Sequence, residues 1–404
     1  MKICVLTHTF PRDKEDTTAA FMNEFCEGLA QNNNSVVVIT PYDPKFSRKN
    51  YPFKIITYKY IWPSSLHLLG YSRTMEADQF LRPRAFLLIP FMVFFGTLKL
   101  ISVAKRENID IVNAHWILPN GFMAMIASIF TRVPYVITVP GTDAYLSFRY
   151  KIFGLVSKVI AHFSKAIVSN SQFNLNRILN LGVKPKLKAV IHYPVDIERF
   201  KPSKVGIAEI HTKLGINKKD IVLLAVGRMV YKKGYDYLIK SIAPLKKHNI
   251  KLLFAGEGGL KNKWMDLIKQ LGLETKVMFT GNINRDEIVK YYNLADIMVA
   301  PSIVDSRGNV DGGPVTNFES MACGKPQIVT DVLGIAEIIK NGVNGFVVPQ
   351  KDVKALTSAL EKLIESKSTR EKMGRNNRKL ITDKVSTESI GKEYTAIFEK
   401  ALIT

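Results

Sequence analysis

The segment from residue 221 to residue 239, IVLLAVGRMVYKKGYDYLI, contains the local pattern that decides the fold class. It begins with a short apolar run that is typical of a buried strand. A basic turn with glycines at 227 and 234 follows, and the segment ends in a stretch with helical character. A strand, a turn and a helix in this order form one βα unit, so the segment predicts a parallel sheet covered by helices.

The same alternation continues outward along both halves of the chain. The strand-like runs of the first half are KICVLTH, SVVVITP, IDIVNAH, PYVITVPG and KAIVSNS. Those of the second half are IVLLAVGR, IKLLFAGEG, KVMFTGN, DIMVAPS, PQIVTDV and GFVVP. Longer helical stretches separate them, which predicts two doubly wound α/β domains. Ligands in such sheets bind at the carboxyl ends of the strands.

The domain boundaries follow from the break in this alternation. We predict a first domain over residues 1–200, a second over residues 201–385 and a terminal helix over residues 386–404. The joint is expected between residues 196 and 219, a polar stretch that contains Pro202. The pattern leaves open which domain the terminal helix contacts. A chain of 404 residues with 47% hydrophobic content is long enough to bury a core in each domain.

Cysteine usage and the start of the chain predict a cytoplasmic location. Cys4, Cys26 and Cys323 show no metal-ligand spacing and cannot all pair, which favours a reducing compartment. The first residues, MKICVLTHTF, enter a strand-like run directly. We see no basic region followed by a long apolar core, so no secretion signal is expected.

The net charge of +22 first suggests nucleic acid as a partner, because basic surface is the general mark of phosphate binding. Its distribution favours another partner. Residues 45–106 contain eleven Lys and Arg against two acids, and within them residues 85–98, AFLLIPFMVFFGTL, carry no charge. This basic region suits peripheral contact with an anionic membrane, and we expect no nucleic acid. The apolar run is too short to span a bilayer, which needs ~20 residues. The alternative is a buried core helix.

Two acids and two cations stand out in the second half, together with glycines at strand ends. Arg228 and Lys233 lie in the turn before a helix. Because the free N–H groups at the start of a helix favour anions, the two cations predict a phosphate site. Alternatively, and more simply, they form a solvated basic turn. The segment FAGEGG places Gly256 and Gly258 after another strand, where a ligand can approach the backbone closely. Asp311 and Glu319 flank a glycine turn in DGGPVTNFESMACGKP. Alternatively, Asp311 only forms the turn, and Glu319 only complements the helix dipole.

These motifs together resemble the family-4 retaining glycosyltransferases. The family signature is a pair of acids with seven residues between them, E-x7-E, which runs into a helix that reads E-A-M-A-x-G-x-P. This chain has Asp311, seven residues, Glu319 and then SMACGKP, and GRxxxxKG lies upstream. The resemblance covers nearly the whole chain and is strongest over residues 226–349. It implies the GT-B fold, in which two Rossmann-like domains face each other across a cleft.

The resemblance implies a role for each donor-side residue. Glu319 would hold the ribose hydroxyls of a UDP- or GDP-sugar, and Asp311 would hold the 3- or 4-hydroxyl of its hexose. Arg228 and Lys233 would bind the diphosphate. The backbone from residue 312 to residue 316 would complete the donor site: Gly312, Gly313, Pro314, Val315 and Thr316. No D-x-D motif occurs in the chain, so no metal cofactor is expected, and the cations and the helix start would stabilise the leaving diphosphate.

The match is looser on the acceptor side. In VITVPGTDAY, Pro140 stands where the family has His, followed by Gly141 and Asp143. Pro140 keeps the backbone carbonyl but not the imidazole, so a mechanism that needs a histidine there is in doubt. His115, at the end of a neighbouring strand, is a candidate hydrogen-bonding partner for donor or acceptor, or else a structural residue. Asp143 orients the acceptor or caps the next helix. We interpret His8 and His162 as structural.

Together with these features, the resemblance implies a metal-independent hexosyltransferase on the cytoplasmic face of the membrane. It would transfer a hexose from the nucleotide sugar, with retention, to a saccharide acceptor that is lipid-linked, in surface glycan or glycolipid biosynthesis. Two alternatives remain at this point. One is a nucleotide-sugar hydrolase or epimerase, and the other is a catalytically silent glycan-binding or scaffolding subunit on the same fold.

Overall fold

The computed structural model describes residues 1–13, 16, 18–47, 51–71, 75, 76, 80, 81, 83–141, 151–306, 308–311, 315–332 and 334–404, and of residues 75, 76, 80, 81 and 83–86 it describes the backbone alone. The chain divides into two compact units. The first contains Met1–Pro194 and Thr387–Thr404, and the second contains Val195–Ser386. The boundary between residues 194 and 195 lies six residues before the one drawn from the sequence at 200 and 201.

The first unit is built on a parallel sheet. Its strands are β1 (Lys2–Leu6), β2 (Ser35–Pro41), β3 (Lys54–Tyr58), β6 (Ile111–His115), β7 (Tyr135–Val139), β8 (Ala166–Ser169) and β9 (Leu187–Val190), and a separate antiparallel pair consists of β4 (Met75–Glu76) and β5 (Phe80–Leu81). Among the described residues the sheet has seven strands in the order β3-β2-β1-β6-β7-β8-β9. All residues of β6 and β7 are buried, as expected for strands with helices on both faces.

Helices of the first unit cover the two faces of this sheet. They are α1 (Phe21–Gln31), α2 (Pro83–Arg106), α3 (Phe122–Thr131), α4 (Lys151–Phe163) and α5 (Gln172–Leu179), with a 3-10 turn at Ser64–Leu66 and a π-helical turn at Ile117–Gly121. Buried side chains of α2, α3 and α4, such as Met92, Met123 and Ile160, pack in one core on one face. Phe25 of α1 packs in a second core on the other face.

The second unit repeats the design with a parallel sheet and its own helices. Its strands are β10 (Ile221–Val226), β11 (Ile250–Ala255), β12 (Val277–Gly281), β13 (Ile297–Ala300), β14 (Gln327–Thr330) and β15 (Gly345–Val348). Its helices are α6 (Ile207–Leu214), α7 (Tyr235–Ile242), α8 (Lys261–Gln270), α9 (Ile288–Leu294), α10 (Val315–Ala322), α11 (Val353–Glu365) and α12 (Lys367–Lys384), with 3-10 turns at Tyr231–Lys233, Ala243–Leu245 and Gly334–Glu337. In the described part of the chain the six strands take the order β12-β11-β10-β13-β14-β15. Both units are therefore doubly wound.

The terminal helix, α13 (Thr387–Ile403), belongs to the first unit and not to the second. It crosses α1 at Gly28 and Gly391. A Cβ at Gly28 would collide with the carbonyl oxygen of Thr387, and a Cβ at Gly391 would collide with the carbonyl oxygen of Gly28. Glycine at both positions therefore allows the two helices to touch along their backbones. Tyr394 and Phe398 of α13 complete the core around Phe25.

The apolar run at 85–98 belongs to a longer helix than the sequence indicated. Helix α2 has 24 residues, and its segment Leu87–Arg106 is long and apolar enough to cross a membrane by length and composition alone. The sequence prediction that this region is too short to span a bilayer considered only the uncharged residues 85–98. However, seven of these twenty residues are buried, among them Leu88, Leu100 and Val103 in the core of the first unit. One side of α2 is therefore core, as the second sequence alternative predicted, and the other side is exposed, while membrane contact stays a prediction.

Candidate active site

The strand order of the second sheet brings the predicted donor residues to one edge. The order reverses between β10 and β13, and a crevice forms at such a switch point, at the carboxyl ends of the strands. The loop after β10 carries Arg228 and Lys233, and the loop after β13 carries Asp311 before α10 begins at Val315. The topology therefore places the cations and the acids in neighbouring loops.

Glycines shape the first of these loops. Gly227 has a φ of +146°, and a Cβ there would lie 2.7 Å from Nζ of Lys233. Gly234 has a φ of +63°, and a Cβ there would collide with the carbonyl oxygen of Pro301, at the end of β13. Both positions need glycine because the chain turns tightly and packs against its neighbours there. As a result the Lys233 ammonium lies directly over the backbone that ends β10.

Lys233 and Asp311 form an ion pair. Nζ of Lys233 lies 2.5 Å from Oδ2 of Asp311, and their side chains are only 13% and 17% exposed. Burial would raise the pKa of Asp311, but the charges of Lys233, Lys232 and Arg228 outweigh it and hold that pKa below its ordinary value. Asp311 is therefore ionised at neutral pH. Arg228 itself is exposed at the rim of the same loop.

Glu319, on α10, is also paired, with partners that the sequence did not suggest. Its Oε2 accepts a hydrogen bond of 2.8 Å from the hydroxyl of Tyr292, and its Oε1 lies 3.4 Å from Nη1 of Arg285. The side chains of Glu319 and Arg285 are 8% and 11% exposed. The guanidinium of Arg285 also lies over the ring of Phe200. A buried carboxylate needs such partners, because an isolated charge is costly to remove from water.

Three hydroxyl groups at this edge have no hydrogen-bond partner in the part of the chain that the structure describes. These are the phenol of Tyr235 and the hydroxyls of Ser302 and Thr316, whose oxygen atoms are all buried. A Cβ at Gly227 would lie 3.4 Å from the Tyr235 hydroxyl, so this group faces the same turn as Lys233. Buried polar groups are almost always satisfied. Unsatisfied hydroxyls next to cations fit a site that takes an oxygen-rich anion.

The remaining donor-side predictions divide between described and undescribed residues. Gly256 and Gly258 follow β11 with φ values of +139° and +159°, and a Cβ at Gly258 would lie 2.7 Å from the carbonyl oxygen of Met229. They pack against the loop that follows β10. Val315 begins α10. Gly312, Gly313 and Pro314 lie outside the described residues.

In the first unit the switch point lies between β1 and β6, and His115 lies at its edge but faces inward. His115 is fully buried, edge-on to Phe25 at 4.6 Å between ring centroids, and its Nδ1 lies 3.3 Å from the hydroxyl of Tyr193. Burial, and to a lesser degree the charge of His8, lowers the pKa of His115 to about 3. His115 is therefore neutral and enclosed in the core that α1 covers, which favours the structural alternative.

His8, which the sequence analysis interpreted as structural, is the more exposed histidine at this edge. It follows β1, packs on Trp116 at 4.4 Å between ring centroids, and its Nδ1 lies 3.0 Å from Nδ2 of Asn120. Asn120 also donates a 2.6 Å hydrogen bond to the carbonyl of His115. Because β1 and β6 are far apart in sequence, only their pairing in the sheet signals this cluster.

Pro140 and Gly141 directly follow the next strand, β7. The Pro140 carbonyl accepts a 3.1 Å hydrogen bond from Nδ2 of Asn170, and Gly141 has a φ of +129° with its α-carbon close to Asn174. The backbone carbonyl that Pro140 keeps is thus held in place by an asparagine that follows the neighbouring strand, β8. Asp143 lies outside the described residues.

Comparison with known proteins accounts for both units. The family described as Glycosyltransferase Family 4 matches residues 18–199, and the family described as Glycosyl transferases group 1 matches residues 206–380. The two matches cover most of both units. The chain belongs to the family-4 glycosyltransferases.

Individual relatives agree with this assignment. This family-4 glycosyltransferase is 26% identical to an uncharacterized glycosyltransferase of Methanocaldococcus jannaschii, over 100% of this chain and 99% of the relative. It is 28% identical to the capsular polysaccharide biosynthesis glycosyltransferase CapM of Staphylococcus aureus, over 76% of this chain and 80% of CapM. The crystal structure of HepE from Anabaena in complex with UDP has a TM-score of 0.76 and 19% identity, and covers 99% of this chain and 100% of that chain. The predicted GT-B fold is confirmed.

One group of side chains in this glycosyltransferase brings three ligand-type atoms together, among the residues that the structure describes. Ligand atoms of His248, Glu361 and Glu365 lie within 4.8 Å of one another. His248 comes just before β11, so the group lies at the amino end of the second sheet. The cations and acids of the candidate site follow the carboxyl ends of the strands, at the opposite edge. The group therefore does not belong to that site.

Proposed function

We propose that this glycosyltransferase transfers a hexose from a UDP- or GDP-sugar to a saccharide acceptor, with retention of anomeric configuration. The observation that carries the proposal is the pairing at the second switch point: Asp311 with Lys233, and Glu319 with Arg285 and Tyr292. Carboxylates accept hydrogen bonds from sugar hydroxyls, and cations bind phosphates. A nucleotide sugar has both kinds of group. Crystal structures of HepE in complex with UDP and with UDP-glucose support such a donor.

Each residue would bind a particular group of the donor. Glu319, held by Tyr292 and Arg285, would accept from the ribose hydroxyls. Lys233 and Arg228 would bind the diphosphate, with the unsatisfied hydroxyls of Tyr235 and Thr316 as further donors. A diphosphate competes with Asp311 for Lys233, so donor binding would release Asp311 to accept from a hexose hydroxyl.

The chemical step requires stabilisation of the departing diphosphate, and we propose that no metal ion supplies it. Each well-placed donor to the developing charge contributes on the order of 3 kcal/mol. Lys233, Arg228 and the amino end of α10 provide such donors together. In a retaining reaction with these residues, a phosphate oxygen would take the proton of the attacking acceptor hydroxyl.

The acceptor and the location are proposed on separate grounds. We propose a lipid-linked saccharide acceptor, since CapM acts in capsular polysaccharide biosynthesis by its name, and surface glycans are the corresponding product class. We also propose a cytoplasmic protein that binds the membrane peripherally. Helix α2 supports this, because Phe91, Phe94 and Phe95 are exposed on it.

A thermal-shift panel tests the proposed donor. Each of UDP, GDP, ADP and their sugars is added to the protein, and the unfolding temperature is measured. A ligand at 100 times its dissociation constant should stabilise the fold by about 2.7 kcal/mol. We expect a shift with UDP or GDP and with the matching sugar. A panel without any shift would contradict a nucleotide-sugar donor.

A matched pair of lysine variants makes the test specific to the diphosphate. Lys233→Met should weaken binding of the nucleoside diphosphate by about 10- to 100-fold, the value of a hydrogen bond to a charged group. It should leave binding of the free nucleoside unchanged, because the nucleoside has no phosphate. Lys240→Met, at an exposed lysine of α7, is the control and should change neither. Equal losses for nucleoside and nucleotide would assign Lys233 a structural role.

Turnover separates the enzyme from a silent glycan-binding subunit on the same fold. The replacement of the family histidine by Pro140 is the observation that favours a silent subunit. With a nucleotide sugar that binds in the panel, release of nucleoside diphosphate is measured with and without a membrane extract as acceptor source. We expect acceptor-dependent release that Asp311→Asn abolishes. Release independent of acceptor would indicate a hydrolase instead.

A further inference from the structure

Large apolar side chains are exposed on three helices of the first unit. On α2 they are Leu87, Phe91, Phe94, Phe95 and Leu98, between 42% and 74% exposed. On α3 and α4 they are Ile129, Phe130, Ile152, Leu155, Val159 and Phe163, between 43% and 71% exposed. Single exposed apolar residues are normal on a protein surface, but eleven on neighbouring helices mark a binding surface.

These three helices form one layer. Helix α2 packs on α3, and α3 packs on α4. A Cβ at Gly96 of α2 would lie 2.5 Å from Sδ of Met123 on α3, so these two helices approach closely. The buried sides of all three helices pack in the same core against the same face of the sheet. Their exposed sides therefore form the outer surface of this layer, which we call the α2–α4 face.

The charge of the α2–α4 face has a single sign. Helices α2, α3 and α4 contain no Asp or Glu. Exposed or half-buried cations lie on these helices and directly after α3: Lys99, Lys105, Arg106, Arg132, Lys151 and Lys158. The nearest acid along the chain, Glu107, follows α2 and pairs with Lys54 and Arg106. On α4 the apolar stripe of Ile152, Leu155, Val159 and Phe163 runs beside Lys151 and Lys158.

We infer that the whole α2–α4 face docks on an anionic lipid bilayer, with α4 contributing as directly as α2. The phenyl and aliphatic side chains enter the interface, and the lysines and arginines bind anionic headgroups. A second copy of the chain is the less suitable occupant, because two acid-free basic faces repel each other. The inference rests on the proposed peripheral location and names the surface that produces it.

Sedimentation with lipid vesicles tests the inference in the full-length protein. The vesicles contain phosphatidylcholine alone or phosphatidylcholine with phosphatidylglycerol. The deciding variant changes only α4, as Ile152→Ser, Leu155→Gln and Phe163→Gln together. The comparison variant changes only α2, as Phe91→Gln, Phe94→Gln and Leu98→Gln. The matched control changes three exposed apolar residues of the second unit, as Val205→Ser, Met265→Gln and Val343→Ser. Unchanged thermal unfolding shows that each variant is folded.

The expected result is binding of the wild type to the phosphatidylglycerol vesicles, stronger than to phosphatidylcholine alone and weakened by salt. The α4 variant should lower this binding by about 10-fold or more, as should the α2 variant, since each removes three apolar side chains from the interface. The control should bind like the wild type. If only the α2 variant loses binding, the proposed location stands and the α4 contribution is wrong. If the wild type binds no vesicle, or forms a dimer that the α4 variant dissociates, bilayer docking is wrong.

Discussion

Asp311 and Glu319 are held by different kinds of neighbour, and this difference bears on what each can do. Asp311 has a flexible lysine as its partner, so a ligand anion can take that partner away. Glu319 is fixed from two sides, by the phenol of Tyr292 and the guanidinium of Arg285. Two of its hydrogen-bonding positions remain for a ligand. Glu319 therefore suits a constant recognition task, and Asp311 suits one that follows diphosphate binding.

Arg285 should act on the donor through Glu319, which makes it a positioning residue. In the wild type, a nucleoside diphosphate should bind about 10-fold more tightly than its 2′-deoxy form, since a hydrogen bond to the carboxylate is lost. Arg285→Met should bring this ratio close to one, because Glu319 loses one of the two partners that orient it. Isothermal titration of both nucleotides measures the ratio.

Two further variants separate this role from general damage. Arg285→Lys keeps a positive charge and should restore part of the discrimination against the 2′-deoxy form. Arg375→Met, at an exposed arginine of α12, should leave the ratio as in the wild type. An Arg285→Met protein that binds both nucleotides more weakly but still discriminates between them would show that Arg285 does not work through the ribose site.

The lowered pKa of Asp311 predicts a pH-dependent contribution to stability. A carboxyl whose pKa is lower in the folded state stabilises the fold above its ordinary pKa, and this contribution is lost as pH falls through the lowered value. Asp311→Asn should therefore reduce the free energy of unfolding most near neutral pH. The difference in unfolding free energy between this variant and the wild type should shrink as the pH falls to ~3, which is below the ordinary pKa of Asp. Denaturant unfolding across this pH range measures it, and a difference that grows on acidification would be the opposite sign.

At the scale of elements, the candidate site depends on where strands end and how closely their loops pack. Lys233 reaches Asp311 because Gly227 leaves room for its ammonium and Gly234 lets the loop contact the end of β13. The terminal helix shows the same principle. It joins the first unit, although it follows the second in sequence, because α1 and α13 can touch at two glycines.

Gly391→Ala should destabilise the first unit. Alanine normally stabilises a helix relative to glycine by about 1 kcal/mol, but here the added methyl group meets the carbonyl of Gly28 and pushes the helices apart. We expect a net loss of roughly 1–3 kcal/mol, the usual cost of overpacking. Thermal unfolding measures it, with Lys392→Ala, the exposed next residue of α13, as the control. A variant as stable as the wild type would show that the crossing has room to relax.

At the scale of the whole molecule, the two units differ in the kinds of side chain that they offer to a ligand. The second unit has the cations and acids proposed for the donor, and the first has the apolar, acid-free α2–α4 face. In the first unit we propose that the acceptor binds at the edge where the half-buried His8 packs on Trp116 and contacts the fully buried Asn120. If the proposals for the donor and for the bilayer are both right, one chain would combine a donor-binding unit with a membrane-docking unit, which would suit transfer to an acceptor held in the bilayer.

Nucleotide binding should not need a metal ion, because protein cations neutralise the diphosphate. The affinity for the nucleoside diphosphate that binds in the panel should be the same in EDTA and in magnesium chloride, as measured by isothermal titration. Turnover, where an acceptor is found, should survive excess EDTA. Complete loss of activity on chelation would refute the metal-independent mechanism. A metal bound at His248, Glu361 and Glu365 would leave both measurements unchanged, since that group lies at the other end of the sheet.

The alternation of apolar runs and the spacing of Asp311 and Glu319 were enough to predict two doubly wound domains and the family, because strand burial and short motifs are local properties of the chain. Lys233 was proposed for the same reason.

Arg285 and Tyr292 were missed, since a lone Arg and a Tyr in a helix carry no local signal. Tyr292 and Arg285 are 27 and 34 residues from Glu319 in sequence, and they contact it only because the fold brings the end of β12, α9 and α10 together. The inward orientation of His115, the half-buried position of His8 and the outer faces of α3 and α4 likewise depend on which elements pack side by side. Local sequence sets periodicity and turn chemistry, whereas burial and pairing are properties of contacts between distant segments, and those exist only in the folded chain.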